Sequence, residues 1–246
     1  MPKTYRITMS QQNNPVSSQF FTNREGNTLM KEFEGILNNN PQVTNLDAVV
    51  GFLRASGYFS LRPFLDSINK VRVLIGINVD KYIERATQRG VLFMGEEEKV
   101  KEDCMRQFRK DIESSDYTKQ VEDGMLQMFQ DLLDGKLELR AHPSKKIHAK
   151  FYILYPDNFN QHTFGAAITG SSNLSGNGLG ITKERQYEFN VKLTRYDDVQ
   201  FAKNEFELLW EEAKDVPITA VDFKQTMDDS YLKGDVTPYE LYIKML

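Results

Sequence analysis

His148 and Lys150 stand two apart in the apolar run from Ile147 to Leu154, and twenty residues after the lysine comes Gly170-Ser171-Ser172-Asn173. Residues two apart on an extended strand share a face. The spacing therefore offers an imidazole nucleophile beside a compact cation, a pair suited to a phosphodiester. Ser171, Ser172 and Asn173 add the hydroxyl and amide donors that hold phosphate oxygens. A third segment, Tyr187-Glu188-Phe189-Asn190, alternates a carboxylate into a strand pattern. A histidine on a strand is more often an ordinary core residue. Here the basic turn before it and the polar strand end after it favour chemistry.

The charge pattern agrees locally. The 246-residue chain carries a formal net charge of −4, which by itself argues against a polyanionic partner. Around the motif the balance reverses, because Lys136, Arg140, Lys145, Lys146 and Lys150 face only Glu138. Lys146 is thus a candidate substrate contact, as are Lys183 and Arg185, which could touch a nucleic-acid backbone. Between them and the serines lies Gly176-Asn177-Gly178-Leu179-Gly180. It fails as a dinucleotide fingerprint, since Ile181 stands where the third glycine belongs, and it is expected to be a flexible loop. Phe20, Phe21, Tyr58 and Phe59 are candidates to stack on bases.

Composition excludes several classes. The single cysteine, Cys104, forms no internal disulfide and no cysteine-based zinc cluster, which fits a reducing compartment and a cytoplasmic protein. His142, His148 and His162 do not make a metal site, and no cofactor is expected. No apolar run approaches the roughly 20 residues that cross a bilayer, so no membrane partner is expected.

The elements that must position these residues follow from periodicity. Residues 1–26 read as an irregular arm with a short strand at Tyr5 to Met9. A helix capped by Asn27 runs through Leu37. Strands at Leu46 to Arg54 and Lys70 to Ile77, joined through a helix around Leu61 to Ile68, predict a parallel pair. Helical pattern from Lys81 to Gly135 covers a sheet face, with an acidic stretch at 95–123 as a candidate mobile mimic of nucleic acid. Strands at Leu137 to Arg140, Ile147 to Leu154, Phe164 to Gly170 and Tyr187 to Leu193 precede an amphipathic helix from Asp197 to Ala213, with Trp210 inward. The expected fold is α/β, a mixed β-sheet sandwiched between helices, over residues 27–214. Residues 215–246 read as a tail or linker. No internal repeat supplies a second copy of the motif.

His148-Ala149-Lys150, Gly170-Ser171-Ser172-Asn173 and the Glu188 strand together resemble the phospholipase D superfamily. The resemblance implies that His148 attacks phosphorus to give a phosphohistidine and that Glu188 orients its imidazole. Lys150, Asn173 and Ser171 would hold the non-bridging oxygens, with no metal. One departure stands out: Tyr155 occupies the position of the family's aspartate, five residues after the lysine, and Asp157 follows two residues later. Family members with one motif pair two chains so that each contributes a histidine, which implies a homodimer. Among phospholipases, lipid synthases and nucleases, the chain looks most like a DNA endonuclease domain. It resembles the nuclease-like domain that begins some bacterial helicases of restriction-modification or defence systems, with an ATPase motor expected after Leu246. A nucleic-acid-binding module without catalysis and a phospholipase are the alternatives.

Overall fold

The computed structural model describes residues 18–24, 26–76, 97–114, 119–143, 147–183 and 186–228. The expected strand at Tyr5 to Met9, the start of the helical stretch, Lys146, Arg185 and the end of the tail lie outside the described residues.

Eight strands form one mixed sheet in the order β1-β7-β6-β5-β2-β3-β4-β8. They are β1 Phe20–Thr22, β2 Asn45–Val50, β3 Lys70–Ile75, β4 Leu137–Ala141, β5 Phe151–Tyr155, β6 Ala166–Gly170, β7 Phe189–Leu193 and β8 Pro217–Ile218. β2, β3 and β4 are parallel, as the strand, helix, strand pattern predicts, and the other pairings are antiparallel. Seven α-helices are described: α1 Leu29–Asn39, α2 Ala55–Leu61, α3 Glu97–Ser114, α4 Lys119–Leu133, α5 Gly176–Leu179, α6 Tyr196–Glu212 and α7 Ala220–Asp228.

Alternation sorts the strand residues onto two cores. Leu46, Ala48, Val50, Tyr152 and Leu154 face α1, α2, α3, α4 and α7. Val49, Ile153, Tyr155 and Ala167 face α6 through Val199, Phe206 and Trp210. α1 begins where the Thr28 side chain accepts from the Lys31 N–H at 3.3 Å; Thr28, still extended, is the cap in place of Asn27. Its Leu29, Phe33, Ile36 and Leu37 fall on one face and are buried.

Several boundaries differ from expectation. The helix before β3 lies earlier, at α2, and continues as a single 3₁₀ turn, Arg62–Phe64, because Pro63 has no N–H to extend it. β5 starts only at Phe151, so residues 147–150 are extended but outside the ladder. Residues 217–228, expected in a tail, add β8 to β4 and bury Phe223 and Met227. Their period is too short to register as a helix. The acidic stretch is also built in: Val100, Phe108, Met125 and Met128 of α3 and α4 are core residues. Excising it would open the core, so it is no detachable mimic.

On the α6 side lies a buried charged cluster. Asp47, 1% exposed, accepts from Arg72 Nε and Nη2, both at 2.7 Å, and from the Tyr155 hydroxyl at 2.6 Å. Arg72 also donates to Glu207 of α6 at 2.6 Å. Burial opposes the Arg72 charge, but the bonds from Asp47 and Glu207 win and raise its pKa. Burial and then Asp47 push the Tyr155 hydroxyl upward, so it stays a donor. Asp157 takes hydrogen bonds from Thr44 at 3.0 Å and Asn45 at 2.7 Å, tying the end of β5 to the start of β2.

Candidate active site

At the opposite end of β5 the chain gathers Lys150, Asn173, Ser171 and Glu188. Lys150 is 5% exposed. Its ammonium carries three donors, and among the described residues its hydrogen bond goes to the His148 carbonyl at 2.8 Å. Burial lowers the Lys150 pKa, against the opposing pull of Glu188. A buried lysine with donors to spare is a place prepared for an anion.

Asn173 is held beside it. Its Oδ1 accepts from the Gly51 N–H at 2.9 Å and the Phe52 N–H at 3.2 Å. With the oxygen fixed by two backbone donors, the amide NH₂ is the end left to donate. A Cβ on Gly51 would lie 3.2 Å from Asn173 Oδ1 and 3.6 Å from Lys150 Nζ. Both phosphate-holding groups therefore converge on one point above the end of β2.

Close backbone packing fixes this arrangement. A Cβ on Gly57 of α2 would meet the Leu174 carbonyl oxygen at 2.4 Å, and one on Gly178 of α5 would meet the Asn173 carbonyl oxygen at 2.0 Å. The segment carrying Asn173 is thus gripped from two sides, and only glycine permits the grip. The glycine-rich run, expected as a flexible loop, is instead a buried turn of helix capped by Ser175, which accepts from Gly178 N at 3.1 Å.

Ser171 donates to the Glu188 carboxylate and accepts from the Phe189 N–H at 3.1 Å. Glu188 is 8% exposed. It is held a second way, its own N–H donating to Asn23 Oδ1 at 3.1 Å. His148 is exposed; among the described residues its imidazole makes no hydrogen bond, and Glu188 is engaged by Ser171.

Other candidates fall elsewhere. Ser172 is fully buried and faces inward, its hydroxyl accepting from Asn190 Nδ2 at 3.0 Å and its carbonyl from the Tyr152 hydroxyl at 2.8 Å. It braces the cradle and cannot touch substrate. The basic patch also disperses: Lys136 donates to the Leu65 carbonyl at 2.7 Å, and Arg140 to the Trp210 carbonyl at 2.7 Å while stacking on that ring. Lys183 is exposed near α5. Phe21 and Tyr58 are buried, Phe59 packs on the core, and Phe20 alone of the four is exposed. Among the described residues no group of three or more His, Cys, Asp or Glu is placed to hold a metal ion. Among them, too, no helix is long and apolar enough to cross a membrane.

Gly51, whose N–H orients Asn173, was not among the candidates. Its signal was available: a glycine directly after the buried strand end Val49-Val50 marks a close approach.

In fold the chain is similar to Nuc, a phospholipase D family member from Salmonella typhimurium, with a TM-score of 0.39 and 11% identity over 78% of this chain and 93% of that one. It is also similar to TrmBL2, an archaeal chromatin protein whose structure shows a novel mode of DNA binding, with a TM-score of 0.39 and 14% identity over 84% of this chain and 56% of that one. No family model and no curated protein matches the sequence. The likeness is too loose to assign chemistry, which must come from the site's own residues.

Proposed function

We propose that the protein is a metal-independent phosphodiesterase of phospholipase D type, a nuclease domain that cleaves DNA. The observation that carries this is the buried Lys150 ammonium with unused donors, set beside the fixed Asn173 amide. Two oxygens of a phosphate fit between them. His148, exposed at the mouth of the cradle, attacks phosphorus; a P–N bond forms and the P–O bond to the leaving group breaks. Lys150 and Asn173 stabilise the charge on the non-bridging oxygens. On substrate binding the imidazole swings to Glu188, which fixes the tautomer that leaves the attacking nitrogen free. Ser171 holds that carboxylate ready and contacts substrate, with Lys183, Lys146 and Arg185 along the backbone.

The leaving alkoxide needs a proton, and one chain has one such histidine. A symmetric dimer supplies the partner's His148 as general acid, then as base for the water that hydrolyses the phosphohistidine. The single domain spans 27–214, with 1–26 as an arm and the rest leading to a helicase or ATPase partner of a restriction-type system in the cytoplasm. Incubation with plasmid in excess EDTA tests the assignment: nicking is expected from wild-type protein and none from His148→Ala. Binding that survives in a folded protein that never nicks DNA would instead favour a binding module, and faster turnover of phosphatidylcholine would favour a phospholipase.

A further inference from the structure

Glu188 turns inward to Ser171, but its chain neighbours turn out. Tyr187 is 61% exposed and Phe189 49%, and Phe20 on the adjoining edge strand is 57% exposed. The Phe20 and Phe189 rings stack with centroids 5.4 Å apart at 28°. The Arg24 guanidinium lies over the Tyr187 ring, 5.7 Å from its centroid. α6 packs on β2, β5 and β6, and none of these three aromatic rings belongs to the core it closes. The result is an aromatic surface along β1 and β7 that gives nothing to either core.

Its position matters more than its exposure. The Phe189 N–H donates directly to Ser171 Oγ, the hydroxyl that holds Glu188. At about 3.3 Å of rise per residue, the Tyr187 and Phe189 rings lie within about one nucleotide's length of the cradle. Resting on the phosphodiesterase assignment, we propose that Phe20, Phe189 and Tyr187, with Arg24, form a stacking shelf for unpaired nucleobases, so that the preferred substrate is single-stranded nucleic acid. A phosphate in the cradle places the neighbouring base against Phe189. Stacking is indifferent to base identity, because every base has a π-face. A duplex keeps its bases paired inside and offers the shelf nothing. Arg24 and Lys183, both exposed, supply the positive charge that a backbone leaving the cradle meets.

Binding is measured by fluorescence anisotropy in the full chain carrying His148→Ala, so that turnover plays no part. The probes are a labelled oligo-dT, an abasic oligonucleotide of equal length and a duplex of the same length. Oligo-dT is expected to bind roughly tenfold more tightly than the abasic strand, from base–aromatic stacking. Phe20→Leu/Phe189→Leu, which keeps apolar volume and removes the π-faces, should erase that preference while abasic binding and the melting temperature hold. Equal binding of oligo-dT and abasic strand by the parent protein would overturn the shelf. So would a leucine variant that keeps the preference, or one that converts a dimer to a monomer, which would assign the surface to self-association. The phosphodiesterase assignment fails separately, through absence of cleavage by the wild-type chain.

Discussion

Tyr155 stands where the motif would place an aspartate, and the neighbouring strand supplies the carboxylate instead. Asp47 accepts from Tyr155 at 2.6 Å and from Arg72 twice at 2.7 Å. Asp47→Asn keeps the shape and removes the charge. Removing one partner of a buried ion pair costs about 3–5 kcal/mol. Glu207 remains on Arg72 at 2.6 Å, so the low end, about 3 kcal/mol, applies. In a chain of this size each kcal/mol shifts the melting temperature by about 2–4 °C, giving a fall of roughly 6–12 °C. Tyr155→Phe removes one hydrogen bond to a charged acceptor, about 1.5 kcal/mol, and roughly 3–6 °C. The double variant should lose less than the sum, since both changes strike one network. Tyr155→Asp restores the motif residue yet sets two carboxylates together, and should destabilise more than Tyr155→Phe. Thermal melts read these losses, and DNA cleavage well below each melting temperature reads the site. Activity per folded molecule should stay within about threefold, because Asp47 and Tyr155 point to the α6 side of the sheet, away from Lys150. Unchanged melting temperatures, or a hundredfold loss of activity in folded protein, would refute the compensation.

Lys150 must be charged to grip phosphate, and burial lowers its pKa below the ordinary 10.5; binding of an abasic oligonucleotide should fall as pH rises through a value under 10.5, and Glu188→Gln, removing the charge that lifts it, should move that fall to lower pH. Asn173→Ala should cost about 10²–10³-fold in kcat, the usual loss for one donor to a developing oxyanion, and Asn173→Asp more, because it sets a negative charge against the phosphate; steady-state cleavage rates check both. Gly178→Ala forces a Cβ to within 2.0 Å of the Asn173 carbonyl oxygen, so it should depress both melting temperature and cleavage, whereas Gly26→Ala, with open space but a φ of +78°, should lose stability alone. The Arg72 hydrogen bond holds the Glu207 pKa below its ordinary 4.5; its stabilisation is full above that pH and lost as pH falls through the folded value, so Glu207→Gln should flatten the acid limb of a stability profile.

The parallel core was legible because β-branched runs at Leu46 and Lys70 flank a helical stretch, and local propensity agreed with the sheet. The cradle was legible in part. Spacing located Lys150, Ser171 and Asn173, but Ser172 turns inward because β6 has ended at Gly170 and the chain then follows its hydrogen bonds to Asn190 rather than a pleat. Lys136 and Arg140 carried the right charge for a phosphate patch, yet they sit on β4, three strands from β5. Charge along a sequence does not say which strand order will bring it together. Asp47 escaped notice for a related reason: its partner Tyr155 is 108 residues away, a contact that only the register of β2 on β5 creates. The shelf was half legible. Aromatic content pointed to Phe20, but the burial of Phe21 and Tyr58 and the emergence of Phe189 depend on which face each strand presents.

A covalent bond between phosphorus and His148 is the central claim, and trapping it is the most direct measurement. Wild-type protein is mixed with single-stranded oligonucleotide in EDTA, quenched in alkali, which preserves phosphohistidine, and digested for mass spectrometry. A nucleotide-sized adduct on the peptide carrying His148, absent from His148→Ala and accumulating when hydrolysis is slowed, is the expected result. Efficient cleavage with no adduct at His148, or with the adduct on another residue, would contradict it.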